Sequence, residues 1–288
     1  TAPSYAAIAN LAVEDGTGAN LWSQDGVGLS TTTVFSSTNQ QQTVVGAEFD
    51  GGYFISGETG AGSGQYRTLF RLQGGGNEDT EQGYNRLTPN NSEFGETSLG
   101  PSNSEFIRKS DLVTTADGNY FIFSFDANEG GNKLISIDEF RIYTRADSDG
   151  DLATFNDPSP LPDTIATVGN LGNMRYSMDT LDSNGNITVD NSIVLHAGGS
   201  GASDMFVFVP TANLANDADD AIVYLYANHG NYVHPTGNTD FAADAGFVEW
   251  SLPNSAAQRP PFSPVPEPAA VMLSLLSFGA LALRRKRS

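Results

Sequence analysis

Residues 119–126 read NYFIFSFD, and this stretch decides the fold. Phe121, Phe123 and Phe125 recur at every second position, the spacing of one face of a half-buried β-strand; a helix would set its apolar residues three and four apart. A second run, AIVYLYANH at 221–229, alternates in the same way, with Ile222, Tyr224 and Tyr226 opposite Val223 and Leu225. Both of its sets are apolar, so both faces of that strand are expected to be covered. Working outward, VVGAEF, GGYFISG, YRTLFRLQ, LISIDEFRIYT, NITVDNSIVLH, DMFVFVP and GFVEWSL have the same character. Between the runs stand GGGNED, ADGN, ANEGGN, DSDGD, DSNGN and AGGSGASD, whose Gly, Asn and Asp tolerate the positive φ of tight turns. The body contains no sustained 3.6-residue apolar repeat. These patterns predict an all-β, jelly-roll-like sandwich in one domain over about 45–252, preceded by a Gly/Ser/Thr-rich segment, 1–44, that either flanks the sandwich or forms its edge.

Composition narrows the function. The 288 residues hold 34 acidic and 14 basic side chains, a net charge of −20. A nucleic-acid partner is excluded, because phosphate binding needs clustered Lys and Arg that release counterions. There is no cysteine, hence no disulfide framework, thiolate metal site or cysteine nucleophile. An apolar fraction of 39% with 10% aromatics is enough to build a core despite the charge.

The bases are unevenly placed. Arg284, Arg285, Lys286 and Arg287 stand together, and removing 266–288 takes away these four with one acid, Glu267. The remainder carries 10 bases against 33 acids, a charge of −23. Ahead of the basic group lies a Pro-rich linker, 253–265, whose density of proline disfavours helix and sheet hydrogen bonding and predicts an extended spacer. Then come Pro266, Glu267 and Pro268, followed by AAVMLSLLSFGALAL over 269–283, which has no charge. As a helix that segment spans roughly 22 Å, short of a hydrocarbon core of about 30 Å. The basic group that follows has the form of a cytoplasmic stop signal under the positive-inside rule, and predicts one short transmembrane helix with flanking side chains snorkelling to the interface.

Pro266-Glu267-Pro268, the apolar segment and the basic group, in that order, resemble the PEP-CTERM sorting signal of exopolysaccharide-producing Gram-negative bacteria. The resemblance implies recognition by an exosortase, a transpeptidase-like membrane enzyme, with removal of the tail at or near the motif. It also implies an exported protein held transiently at the inner membrane and then at the cell surface or in a biofilm matrix, where exopolysaccharide is an available partner. Export requires an N-terminal signal, and TAPSYAAIAN has neither a basic region nor a long apolar one, so that signal is expected to lie ahead of this numbering. TEQGYN (80–85), FSFDANEGGNKLISIDEFRIY (123–143), GGSGASDMFVFVP (198–210) and AIVYLYANHG leading to GFVEW are similar to segments of extracellular domains that precede such tails. That similarity implies location and fold, with no enzymatic reaction attached.

Several residue groups have the chemistry of a site. Asp147, Asp149 and Asp151 in DSDGD, with Asp157 further on, set carboxylates at alternate positions of a Gly-containing turn, an arrangement that suits calcium. The competing reading is a solvated hairpin loop. DSNGN at 182–186 has similar oxygens, but Asn184-Gly185 is the strongest local signal for a type I′ hairpin. Asn216–Asp220 reads as a solvated acidic loop. His229 and His234 flank four residues and lack an evident third zinc ligand. Ser200 and Ser203 in GGSGAS miss the G-x-S-x-G spacing of a nucleophile elbow. Asp138-Glu139 lies within a strand pattern, where adjacent residues face opposite ways and cannot form a glycosidase pair. Tyr226, Tyr232 and Trp250 near the C-terminal strands could stack sugar rings. The sequence therefore favours an exported, non-enzymatic surface protein, with a calcium-dependent glycan-binding module and a secreted hydrolase as alternatives.

Overall fold

The computed structural model describes residues 5–11, 31–36, 41–59, 66–73, 80–85, 107–128, 134–146, 171–183, 186–196, 203–231, 241–243, 246–256, 259–260 and 262–264. They form an all-β sandwich of two eight-stranded sheets. Across the first sheet run β1 (Tyr5–Asn10), β12 (Ile187–His196), β9 (Leu134–Arg145), β14 (Ile222–His229) and β6 (Glu81–Tyr84). Three short strands lie off this path: β10 (Asn173–Ser177) on β9, β11 (Thr180–Leu181) on β12, and β7 (Ile107–Arg108) on β14. The second sheet runs β16 (Phe262–Pro264), β2 (Thr31–Ser36), β3 (Gln41–Phe49), β4 (Gly52–Thr59), β13 (Ser203–Pro210), β8 (Tyr120–Ala127), β15 (Val248–Pro253), β5 (Tyr66–Leu72). From β12 onward each successive strand of β13, β14 and β15 changes sheet, so the two layers are interleaved by the chain itself. Among the described residues every strand pair is antiparallel except β1 with β12.

The alternation in NYFIFSFD does what its period requires. Phe121, Phe123 and Phe125 enter the cluster between the sheets, while Tyr120 and Ile122 join Tyr53, Ile55, Phe206 and Phe208 in a second cluster on the other face. The strand is thus buried on both sides, where the expectation was one. β14 is buried along its whole length, as its two apolar faces require, with Val223 and Leu225 between the sheets and Ile222, Tyr224 and Tyr226 on the outer side.

The centre of the core is Phe140 of β9. Its ring packs edge-on to Phe54 at 5.6 Å, Phe123 at 5.8 Å and Tyr176 at 5.9 Å, and lies 4.9 Å from Trp250. Phe54, Phe123 and Trp250 come from three strands of the opposite sheet, so one side chain joins the layers through the edge-to-face contacts that aromatic quadrupoles favour. Tyr176 adds a polar fastening, donating its hydroxyl to the Phe49 carbonyl at 2.7 Å. Phe49 and Gly52 face each other across a two-residue hairpin whose Asp50 and Gly51 both have positive φ, 47° and 75°, as a type I′ turn demands. A Cβ at Gly52 would stand 2.4 Å from the Tyr176 hydroxyl, so glycine is required where Tyr176 crosses the hairpin.

Both flanks contribute strands. β1, within 1–44, is the end strand of the first sheet, and β2 is second from the end of the other. Within 253–265, the prolines do not hold the chain off the sandwich: Phe262–Pro264 pairs antiparallel with Val34–Ser36. Proline is tolerated there because β16 is at the end of its sheet, where a missing N–H costs no ladder bond. Among the described residues no helix is long and apolar enough to cross a membrane; the segment 269–283 lies outside them.

Because Phe140 touches four aromatic rings, Phe140→Ala is expected to cost roughly 3–5 kcal/mol of unfolding free energy, the range for deleting a buried aromatic ring. Urea titration followed by tryptophan fluorescence measures it, since Trp250 reports the same contact.

Candidate functional site

The chemistry-bearing side chains of the body gather on the outer face of β9, at a local irregularity. Along β14, Asn228 pairs with Glu139 while the next residue, His229, pairs with Ile137, which leaves Asp138 as the extra residue of a β-bulge. Ile135 and Ile137 before the bulge and Phe140 and Ile142 after it all face the core. Asp138 and Glu139 consequently both face away from it. The sequence rule that neighbouring strand residues point to opposite sides fails at this point, because a bulge inserts one residue into the period.

The bulge sits where β9 exchanges partners. Leu134–Ile137 pair with β12, and Arg141–Thr144 pair with β10 along the same edge. Asp138 fills the seam: Ser136 Oγ donates to its Oδ2 at 2.8 Å, Ser192 Oγ to its Oδ1 at 3.0 Å, and the Asn231 N–H to Oδ2 at 2.7 Å. Burial raises its carboxyl to about 6 in spite of these three bonds. Arg141, 0% exposed, reaches Glu139 at 2.8 Å and Asp179 at 3.6 Å. Asp179, in the bend between β10 and β11, accepts the Asn191 N–H at 3.0 Å and so ties the bend to β12. Burial pushes the Glu139 and Asp179 carboxyls up against the pull of Arg141. For Arg141 burial is the larger single influence and works downward, but Glu139, Tyr143 and Asp179 together raise the guanidinium. The two tendencies agree if the carboxylates hold one negative charge between them: one is ionised against Arg141 and the other keeps its proton. The arrangement braces three strands. It offers no acid–base pair to a polymer substrate, since Asp138, Glu139 and Asp179 are 5%, 7% and 4% exposed.

His229 is equally committed. Trp250 Nε1–H donates to its Nε2 at 3.0 Å, and its Nδ1 lies 3.1 Å from the Glu81 carbonyl, so Nδ1 bears the proton and the ring is neutral. Burial lowers its pKa to about 3, and the ring stacks on Phe125 at 5.3 Å. Both nitrogens are occupied, so His229 cannot serve zinc; His234 lies outside the described residues. Tyr226 and Trp250 also prove to be interior. Both are 0% exposed, Tyr226 donating its hydroxyl to Gln82 Oε1 at 2.9 Å, and neither presents a ring face to a sugar. Tyr232, the third member of that expected glycan surface, falls outside the described residues, as do Asp147, Asp149, Asp151 and Asp157 and the whole of 266–288. Among the described residues no group of three or more His, Asp or Glu is placed to hold a metal ion. In the second acidic turn, β11 and β12 pair antiparallel, and the Asp182 carboxylate takes the Asn186 N–H at 2.9 Å and its side-chain amide at 3.0 Å, which is turn chemistry.

The loop 216–220, read from sequence as simply solvated, differs from that expectation at one residue. Asp217 is drawn inward: its Oδ1 takes Arg175 Nη2 at 2.5 Å and its carbonyl takes Lys109 Nζ at 2.7 Å. Lys109 and Ser110 hold the loop further through N–H bonds to the Ala221 and Asp219 carbonyls, both at 2.9 Å. The braced loop forms one wall of a cleft of about 580 Å³, which the ends of β9 and β10 complete with Thr144, Arg145 and Asn173. Arg175 links the walls, its Nε donating to Thr144 Oγ1 at 2.9 Å. Gly172, at φ 126°, lets β10 enter so close to β9 that a Cβ would stand 2.3 Å from the Thr144 carbonyl oxygen. No signal in the linear sequence joins these walls, because their partners are 31 and 42 residues apart.

Neither a known protein-family model nor a curated protein matches this chain.

The buried ionisable groups set a pH dependence of stability. Asp138 and the proton-retaining member of the Glu139–Asp179 pair are raised by burial above their unfolded values, so the native state binds extra protons and stability falls as pH rises from about 4 through 6 and above. His229 has the opposite sign, removing stability as pH falls below about 6.5. The carboxylates outnumber it, so urea midpoints are expected to be higher at pH 5 than at pH 8. Arg141→Met separates this cluster from the general acidity of the surface: its cost is expected to reach about 3–5 kcal/mol at pH 8, where a buried charge loses its partner, and to shrink at pH 5. A cost independent of pH would contradict the shared-charge arrangement.

Proposed function

We propose that this chain is an exported, non-enzymatic cell-envelope or biofilm-matrix protein, sorted by an exosortase-type enzyme through residues 266–288. One observation carries the reading: Pro266-Glu267-Pro268, fifteen uncharged residues at 269–283 and Arg284-Arg285-Lys286-Arg287 follow one another directly on a body of charge −23. In this mechanism the apolar segment pauses in the inner membrane and the basic group stays on the cytoplasmic side. The acidic body meanwhile lies on the far side. The Pro-Glu-Pro motif is the substrate presented between them.

The fold is compatible with such handling. β16 ends at Pro264, two residues before the motif, and is fastened to β2, so the sorting enzyme would work close to the sandwich and the mature body would keep its last strand. The interleaving of β12 to β15 between the sheets supports the finer description as a jelly roll. The acidic body also suits a polysaccharide-rich exterior, where net charge resists self-association.

Deletion of 266–288 is expected to move the protein from the cell-surface fraction to the periplasm or medium. Replacing Pro266, Glu267 and Pro268 together by alanine is expected to leave it in the inner membrane with the tail uncut. Fractionation and mass determination of the mature C-terminus check both; unchanged distribution and an unchanged terminus would sink the idea.

A further inference from the structure

We propose that the cleft between the 216–220 loop and the ends of β9 and β10 binds a neutral saccharide without a metal ion. The proposal does not rest on the sorting tail. Its basis is the kind of wall the cleft has. The volume of about 580 Å³ falls within the roughly 300–1,000 Å³ of small-molecule sites. The polar side chains that line it are those of Arg145, Asn173, Asn216, Asp217 and Asp220, beside Thr144. These supply planar donors and acceptors together, the set that neighbouring hydroxyls of a sugar can satisfy in pairs.

Charge narrows the ligand further. An anion would meet Asp217 and Asp220, and a divalent cation would meet Arg145 in the wall and Arg175 at 2.5 Å from the Asp217 carboxylate. A neutral hydrogen-bonding ligand meets neither penalty. Asp217, which lines the cleft, is the anchor: its side chain is 9% exposed, Arg175 engages Oδ1, and the buried Oδ2 has no hydrogen-bond partner among the described residues, so the carboxylate has an unused acceptor.

The loop is also held more firmly than a connection requires. Lys109 grips the Asp217 carbonyl and pairs with Asp219 at 3.3 Å, while Arg175 spans from Thr144 to Asp217. Such bracing fixes the polar groups before a ligand arrives and lowers the ordering cost of binding. The expected glycan surface at Tyr226 and Trp250 is interior, and this cleft at the end of β9 offers a hydrogen-bonding alternative.

The test uses the full chain, held in a detergent without a sugar headgroup, with maltotriose, cellotriose and N,N′-diacetylchitobiose as probes in ligand-observed saturation-transfer NMR and calorimetry. At least one is expected to bind, unaffected by EDTA, and both Asn173→Ala and Asp217→Asn are expected to weaken it by about tenfold, one hydrogen bond's worth. Asn173 is exposed at the first residue of β10, so its variant keeps the test decisive if the Asp217 variant does not fold. Binding by none of the three, binding that survives both substitutions, or competition by calcium chloride or inorganic phosphate at the same residues would each overturn the proposal.

Discussion

One inserted residue organises this molecule. A regular β-strand from Leu134 to Arg145 would place Ile135 and Ile137 on one face and Phe140 and Ile142 on the other. The bulge at Asp138 restores all four to the core side. Without that shift Phe140 could not reach Phe54, Phe123 and Trp250 of the opposite sheet, and the aromatic junction between the layers would not form. The same step has an unavoidable counterpart on the outer face, where two consecutive carboxyl side chains now lie together. Asp138 is satisfied by hydroxyl and backbone donors, and Glu139 faces the Arg141 guanidinium in an ion pair. The core contact and the buried acids are thus two consequences of one change of period.

That coupling explains why the charges are tolerated. A buried ion pair is often no more stabilising than a well-packed apolar group, because desolvation offsets the Coulomb gain. Here the charges lie at the only stretch of β9 that exchanges one edge partner, β12, for another, β10. An apolar replacement would fill the volume but leave the Asn191 and Asn231 N–H groups without acceptors. The cluster serves the register of the seam, and this suits a chain that has no disulfide to fix its strands.

Much of the fold was legible in the residues themselves. Alternation in NYFIFSFD and AIVYLYANH is a local property, and the structure follows it face by face. What was not legible depends on pairing at a distance. Nothing near Asp138 marks a bulge, since the shift appears only against the register of β14. The sequence showed no further zinc ligand for His229 but could not show that Trp250, 21 residues on, and Glu81, 148 residues back, take its two nitrogens. Tyr226 and Trp250 carried the chemistry of a sugar platform, but ring chemistry does not distinguish a surface from a core once both faces of a sheet are covered. Proline density likewise argued against pairing at 262–264, and only the position of β16 at the end of its sheet removes the objection.

The candidate sites divide along the same line. Where chemistry was read from a linear motif, as in 266–288, the reading stands on order and composition and is independent of the fold. Where it was read from residue type alone, burial decided otherwise: the strongest titratable groups of the body are spent on holding strands, and so are unavailable to a ligand. The polar side chains that remain within reach of solvent at the end of β9 owe their arrangement to features that are individually unremarkable, a glycine at φ 126°, an arginine spanning two walls and a lysine on a loop carbonyl. None of these would be singled out in a sequence, yet together they keep an acidic loop in place where charge repulsion among Asp217, Asp219 and Asp220 would otherwise spread it. A fold that commits two basic side chains, Lys109 and Arg175, to ordering one surface loop, in a body with only ten, has placed a fifth of its scarce positive charge there.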